Sequence, residues 1–140
     1  MATGPWVRIQ EATGLAESYV HYLDRNLRDP NAPNAQIAFG MLRQFLERAK
    51  AAGVAAGIVL FPMTDAMGPY GSNYPVGFIH DRVRQIAADE HVPYVDLLPA
   101  FSASKDPKSL WVSPFDAHPN AAANKLAAQE ILQTFAGRWQ

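Results

Sequence analysis

Ser113-Pro114-Phe115-Asp116-Ala117-His118-Pro119-Asn120 runs directly into Ala121-Ala122-Ala123-Asn124-Lys125-Leu126-Ala127-Ala128. An acid and a histidine sit two residues apart on a proline-bounded loop at the mouth of a helical pattern. Pro119 fixes its own φ and pushes His118 towards an extended conformation. Asn120 is a strong N-cap for the helix that follows. Both side chains are therefore held stiffly just outside a helix N-terminus. An imidazole that moves protons, oriented by a carboxylate, suits such a place. An Asp-x-His pair is also common in ordinary turns, so the rest of the chain has to decide.

Working outward, the 140 residues are enough for one domain with a real core. Apolar residues make up 49% and charged residues 18%, which fits a globular protein rather than a disordered one. Twelve basic residues oppose thirteen acidic ones, so no nucleic-acid or anionic-membrane surface is expected. Without cysteine there is no disulfide framework, no thiolate nucleophile and no cysteine-based metal site. The first residues show no apolar signal region, and a cytoplasmic location is the default expectation. Val54 to Phe61, the longest apolar run, is far too short to span a bilayer.

Leu15, Tyr19, Tyr22, Leu23 and Leu27 predict a helix over 13–28, ended by Asp29-Pro30-Asn31-Ala32-Pro33. Asn34 then caps a helix over about 35–52 with an inward stripe of Ala38, Met41, Leu42, Phe45 and Ala49. Arg43, Glu47, Arg48 and Lys50 fall on its other face, and Gly53 stops it. Val54 to Pro62 reads as a strand buried on both faces. The loop from Met63 to Pro75, carrying Asp65, Tyr70, Ser72, Asn73 and Tyr74, is a candidate substrate wall. A helix over 76–89 follows, with Val76, Ile79, Val83, Ile86 and Ala87 inward, then a short strand over 92–96 and a polar loop over 102–110. The last helix, about 120–136, is expected to bury Ala128, Ile131, Leu132, Phe135 and Trp139, with Gly137 closing it. Strands alternating with helices imply an α/β fold with a parallel sheet. Only two strands are convincing, so the chain reads as the later half of a larger α/β unit, preceded by a helical lead-in over 1–34.

From about residue 35 to 136 the chain resembles the C-terminal half of the SGNH/GDSL hydrolase family. The buried strand ending Leu60-Phe61-Pro62 carries the likeness, with the segment Val95-Asp96-Leu97-Leu98-Pro99-Ala100-Phe101 and the block Asp116-Ala117-His118-Pro119-Asn120-Ala121. The resemblance implies a three-layer α/β/α flavodoxin-like fold and an ester hydrolase, with Asp116 and His118 as the catalytic acid and histidine. The spacing of two matches some bacterial branches that include acetyltransferase-like relatives, whereas many members have three. Ala123 and Asn124 stand where the family often has Gly-His.

The family's nucleophile block, Gly-Asp-Ser, occurs nowhere in the chain. Gly71-Ser72-Asn73 is a Gly-x-Asn, but it lies too far past its strand to be the family's oxyanion motif and reads as a turn. Ser72 lacks the strand–turn–helix elbow that exposes a nucleophilic serine. The expectation is an SGNH-type domain lacking its first half and inactive alone, needing no cofactor or metal and taking a small-molecule ester when completed. The alternatives are an O-acyltransferase relative, or a non-catalytic α/β module whose open sheet edges favour a partner or self-association.

The remaining polar residues have plainer readings. His80 is a packed histidine, His91 a helix-end residue and His21 a surface one. Asp96 hydrogen-bonds loop amides. Trp111 and Phe115 flank the Asp116/His118 pair. A metal set of Asp65, Asp116 and His118 lacks a second histidine at ligand spacing.

Overall fold

The computed structural model describes residues 17–137. Helix α1 (Tyr19–Leu27) is capped by Ser18, whose hydroxyl accepts from the His21 amide. The part of the expected helix over 13–16, Leu15 included, lies outside the described residues. Asp29 closes the turn after α1 by accepting from the Asn31 amide.

Helix α2 (Pro33–Ala51) starts two residues earlier than expected. Pro33 takes the first helical position, Ala32 is the N-cap, and no side chain caps it. Asn34 is inside the helix and donates to Asn26 Oδ1 at 2.6 Å instead. The inward stripe is rotated as well. Ala35 and Leu46 are buried with Phe39, Leu42 and Ala49 half-buried, whereas Met41 and Phe45 are 65% and 63% exposed and Ala38 is exposed. Arg43 explains the rotation: its guanidinium reaches Asp89 at 2.6 Å and Glu90 at 3.2 Å, at the end of the next helix. Cations suit a helix C-terminus, so the pair fixes the face that α2 turns inward.

Strand β1 is only Ile58–Leu60 and is half-buried, not a long strand covered on both faces. Helix α3 (Gly77–Asp89) crosses over to strand β2 (Tyr94–Asp96), which pairs with β1 in parallel, Ile58 opposite Tyr94 and Leu60 opposite Asp96. Among the described residues β1 has β2 alone as a neighbour, and the helices pack chiefly over β2. That leaves one β1 edge unpaired among the described residues. Val54 to Ala56 make no ladder, and at Gly57 a Cβ would lie 2.4 Å from the Phe135 ring.

The register sends Leu60 and Asp96 to the same end of the sheet, and everything of chemical interest follows from there. Past β1 the loop makes 3-10 turns at Thr64–Ala66 and Pro69–Gly71. Past β2 come the short helix α4 (Leu98–Ser102) and a 3-10 turn at Pro107–Leu110. The Asp116 stretch, expected as a loop, forms an antiparallel hairpin of β3 (Trp111–Ser113) and β4 (Asp116–Pro119).

Helix α5 (Ala121–Phe135) is capped as expected by Asn120. It buries Ala123, Ala127 and Phe135, with Leu126 and Ile131 packed against the core. Ala128 and Leu132, expected inward, face out, and Trp139 lies outside the described residues. Gly137 adopts φ +77 just past the helix end. The arrangement is an α/β fold with parallel strands. Among the described residues no helix is long and apolar enough to cross a membrane.

The core centres on Phe101 and Leu97, both without exposed surface, against Val95, Leu110, Ala123 and Ala127. Truncating Phe101 to Ala should cost about 3–5 kcal/mol, read as a fall in the urea midpoint. Phe45→Ala, on the exposed face of α2, should stay within about 0.5 kcal/mol.

Candidate active site

Asp116 and His118 meet because β4 is extended. Side chains two apart on a strand share a face. One carboxylate oxygen, Asp116 Oδ1, accepts from the His118 backbone amide at 3.0 Å and from its ring Nδ1 at 2.5 Å. Both bonds favour the carboxylate, the backbone amide most, and hold the Asp116 carboxyl below the ordinary aspartate range. The ring's proton is thus committed to Nδ1, which leaves Nε2 as the basic nitrogen. The His118 side chain is 58% exposed. No described side chain hydrogen-bonds to Nε2.

Three side chains hold this hairpin. Asn120 Nδ2 donates to the carbonyls of Ser109 and Trp111, both at 2.9 Å, while Asn120 Oδ1 caps α5 by accepting from the Ala122 and Ala123 amides. Thr64 Oγ1 donates to the Ala117 carbonyl at 2.5 Å. Trp111 Nε1 donates to the Thr64 carbonyl at 3.3 Å. Trp111 is buried as a hairpin anchor, whereas Phe115, at the hairpin turn, is 70% exposed.

A second Asp–His pair lies behind the loop. His80 is 3% exposed; its Nδ1 lies 2.8 Å from Asp96 Oδ1, and its Nε2 lies 3.1 Å from the Tyr74 hydroxyl. Asp96 also accepts from the Leu98 amide at 2.9 Å and from Arg84 at 3.4 Å. Burial pushes the Asp96 carboxyl up, but the Leu98 amide and the His80 ring outweigh it, and the group sits below its ordinary value. Burial likewise raises the Tyr74 phenol. His80 is a packed histidine and Asp96 does hold a loop amide. Their pairing across a separation of sixteen residues had no local signal in the sequence.

The other residues singled out lie apart from these pairs. His91 takes φ +57 just past the end of α3, a left-handed position for a non-glycine. His21 is exposed on α1. Gly71 and Asn73 both have positive φ, as a turn requires, and a Cβ on Gly71 would lie 2.2 Å from Ser102 Oγ. Asp65 is exposed in the 3-10 turn beside Thr64.

The model of the GDSL-like Lipase/Acylhydrolase family matches residues 11–126, a span that takes in both strands of the parallel pair and the Asp116/His118 hairpin. No curated protein and no solved structure matches the chain.

The lowered Asp96 carboxyl makes a testable statement about acid stability. Folding favours its ionised form, so its contribution is fully present above the ordinary aspartate value of about 3.9 and is lost as pH falls through the lower folded value. Asp96→Asn keeps an acceptor for the His80 ring and the Leu98 amide but cannot ionise. Its unfolding free energy, followed by urea titration from neutral pH down to strong acid, should therefore fall less steeply than that of the wild type.

Proposed function

The chain belongs to the GDSL-like lipase/acylhydrolase family, and we propose that Asp116 and His118 are the acid–base half of an acyl-ester hydrolase site. The observation that carries this reading is the 2.5 Å contact from His118 Nδ1 to Asp116 Oδ1. It fixes the imidazole tautomer and turns the basic Nε2 away from the carboxylate. A serine hydroxyl gives its proton to Nε2 as its oxygen attacks the ester carbonyl. Collapse of the tetrahedral intermediate breaks the bond to the alcohol, which takes the proton back from Nε2. Water then releases the acid from the acyl-enzyme by the same sequence. Asp116 stabilises the imidazolium in both halves without itself taking a proton.

The nucleophile belongs to another segment. Gly-Asp-Ser is absent from the sequence, and no described serine or threonine hydroxyl hydrogen-bonds to the His118 ring. Each missing oxyanion donor costs on the order of 10²–10³ in rate. Alone, the chain is therefore inactive, a base with only water to activate.

Hydrolysis of a short-chain p-nitrophenyl ester tests this. The chain alone should stay at buffer background. Fused behind a Gly-Asp-Ser-bearing segment from the same family it should turn over, and His118→Ala should return the fusion to background. Turnover by the fusion that survives His118→Ala would exclude the site. Turnover by the chain alone that His118→Ala abolishes would keep the site and overturn the borrowed nucleophile.

A second reading, a binding module without catalysis, draws on the outward face of α2. Ile37, Met41 and Phe45 are 60%, 65% and 63% exposed at successive turns, and β1 is paired on one side only among the described residues. Solitary apolar residues are ordinary at a surface, but an apolar stripe along a helix and an unpaired strand edge are each docking features. On this reading sedimentation should show concentration-dependent association that Phe45→Glu weakens; a monomer at all concentrations would remove self-association from consideration.

A further inference from the structure

We infer that Thr64 is a positioning residue for the Asp116/His118 pair, and that the buried chain Tyr74–His80–Asp96 holds Thr64 in place. The inference rests on the reading of that pair as an acid–base unit.

Among the described residues strand β4 is partnered only by β3, and its functional side chains face solvent. Its backbone is fixed from below. The carbonyl between the two functional residues, that of Ala117, accepts from Thr64 Oγ1 at 2.5 Å. The Thr64 carbonyl accepts from Trp111 Nε1 on β3 at 3.3 Å. One residue, itself only 4% exposed, thus grips both strands of the hairpin. A turn of the Ala117 peptide, which lies between them, would swing the His118 ring away from the Asp116 carboxylate and break the contact that sets its tautomer.

The preceding residue is gripped in turn. The Met63 amide donates to the Tyr74 hydroxyl at 2.9 Å. That oxygen lies 3.1 Å from His80 Nε2, and His80 Nδ1 lies 2.8 Å from Asp96 Oδ1. One neutral arrangement satisfies every partner: Tyr74 donates to Nε2 while accepting from Met63, and Nδ1–H donates to Asp96. Asp96 stands at the end of β2 and is anchored by the Leu98 amide. The sheet end is therefore linked, bond by bond, to Met63, and through its neighbour Thr64 to the Ala117 carbonyl. Apolar side chains of similar volume would pack α3 against β2 equally well without burying polar groups. What the polar chain adds is direction, since it ends on the loop residue next to Thr64.

The test is ring ¹⁵N NMR of the intact chain, which reports the tautomer of His118. The wild type should carry the proton mainly on Nδ1. In Thr64→Val, and in Tyr74→Phe, that form should drop from dominant to minor, towards the mixture of a free imidazole. Thr64→Ser, which keeps the hydroxyl, should restore it, and circular dichroism should show all three variants folded. A His118 tautomer unchanged in folded Thr64→Val and Tyr74→Phe overturns the inference. Asp116→Ala separates the two levels. Loss of the Nδ1–H form there but not in Thr64→Val leaves the pair standing and removes only the positioning role. Retention of that form in Asp116→Ala overturns the pair and the positioning with it.

Discussion

The Asn120 side chain joins three segments that would otherwise part. Its carbonyl oxygen satisfies two of the orphan amides that begin α5, and its amide group satisfies the carbonyls of Ser109 and Trp111. The helix start, the 3-10 turn and the hairpin are therefore set by one residue. Its position fixes the phase of α5, which decides that Ala123 and Ala127, rather than Ala128 and Leu132, meet the core. The small side chains at those positions let α5 close onto Phe101 and Leu97. From the same anchor β4 runs back towards Asp116, so the candidate site is an outgrowth of a helix cap.

The molecule contains two Asp–His pairs with opposite environments. The Asp116/His118 pair is exposed and leaves a ring nitrogen without a described partner, while the His80/Asp96 pair is buried with every ring atom satisfied. A proton-transfer role needs an accessible, unfilled nitrogen; a structural role needs the reverse. Both pairs stand at the same end of the parallel strands, where β1 and β2 deliver their loops. That is the edge at which α/β folds gather their chemistry.

Much of this was readable in order along the chain. Apolar spacing gave α3 and α5, and Gly, Pro and Asn marked their ends. The family block pointed to Asp116 and His118, and their spacing of two on an extended segment puts both side chains on one face of the strand. The same reading took the apolar run of 54–62 for a long, doubly buried strand. Apolar composition records what a segment is able to bury, not which neighbours arrive to cover it. It also placed Met41 and Phe45 inward, because a helix with apolar residues on two faces does not announce which one is used. The Arg43 contact with Asp89 and Glu90 makes that choice.

The sequence by itself determined the α/β class, the family, the cap at Asn120 and the side-by-side placement of Asp116 and His118. All of these rest on backbone preferences and neighbours within a few residues. Only the tertiary structure decided the hairpin register, the His80–Asp96 bond and the Thr64–Ala117 bond, the last across 53 positions of chain. Hydrogen bonds between distant residues leave no periodicity behind. They exist because parallel pairing of β1 with β2 brings two remote loops to one edge, and the partners found there satisfy polar groups that burial would otherwise leave unpaired.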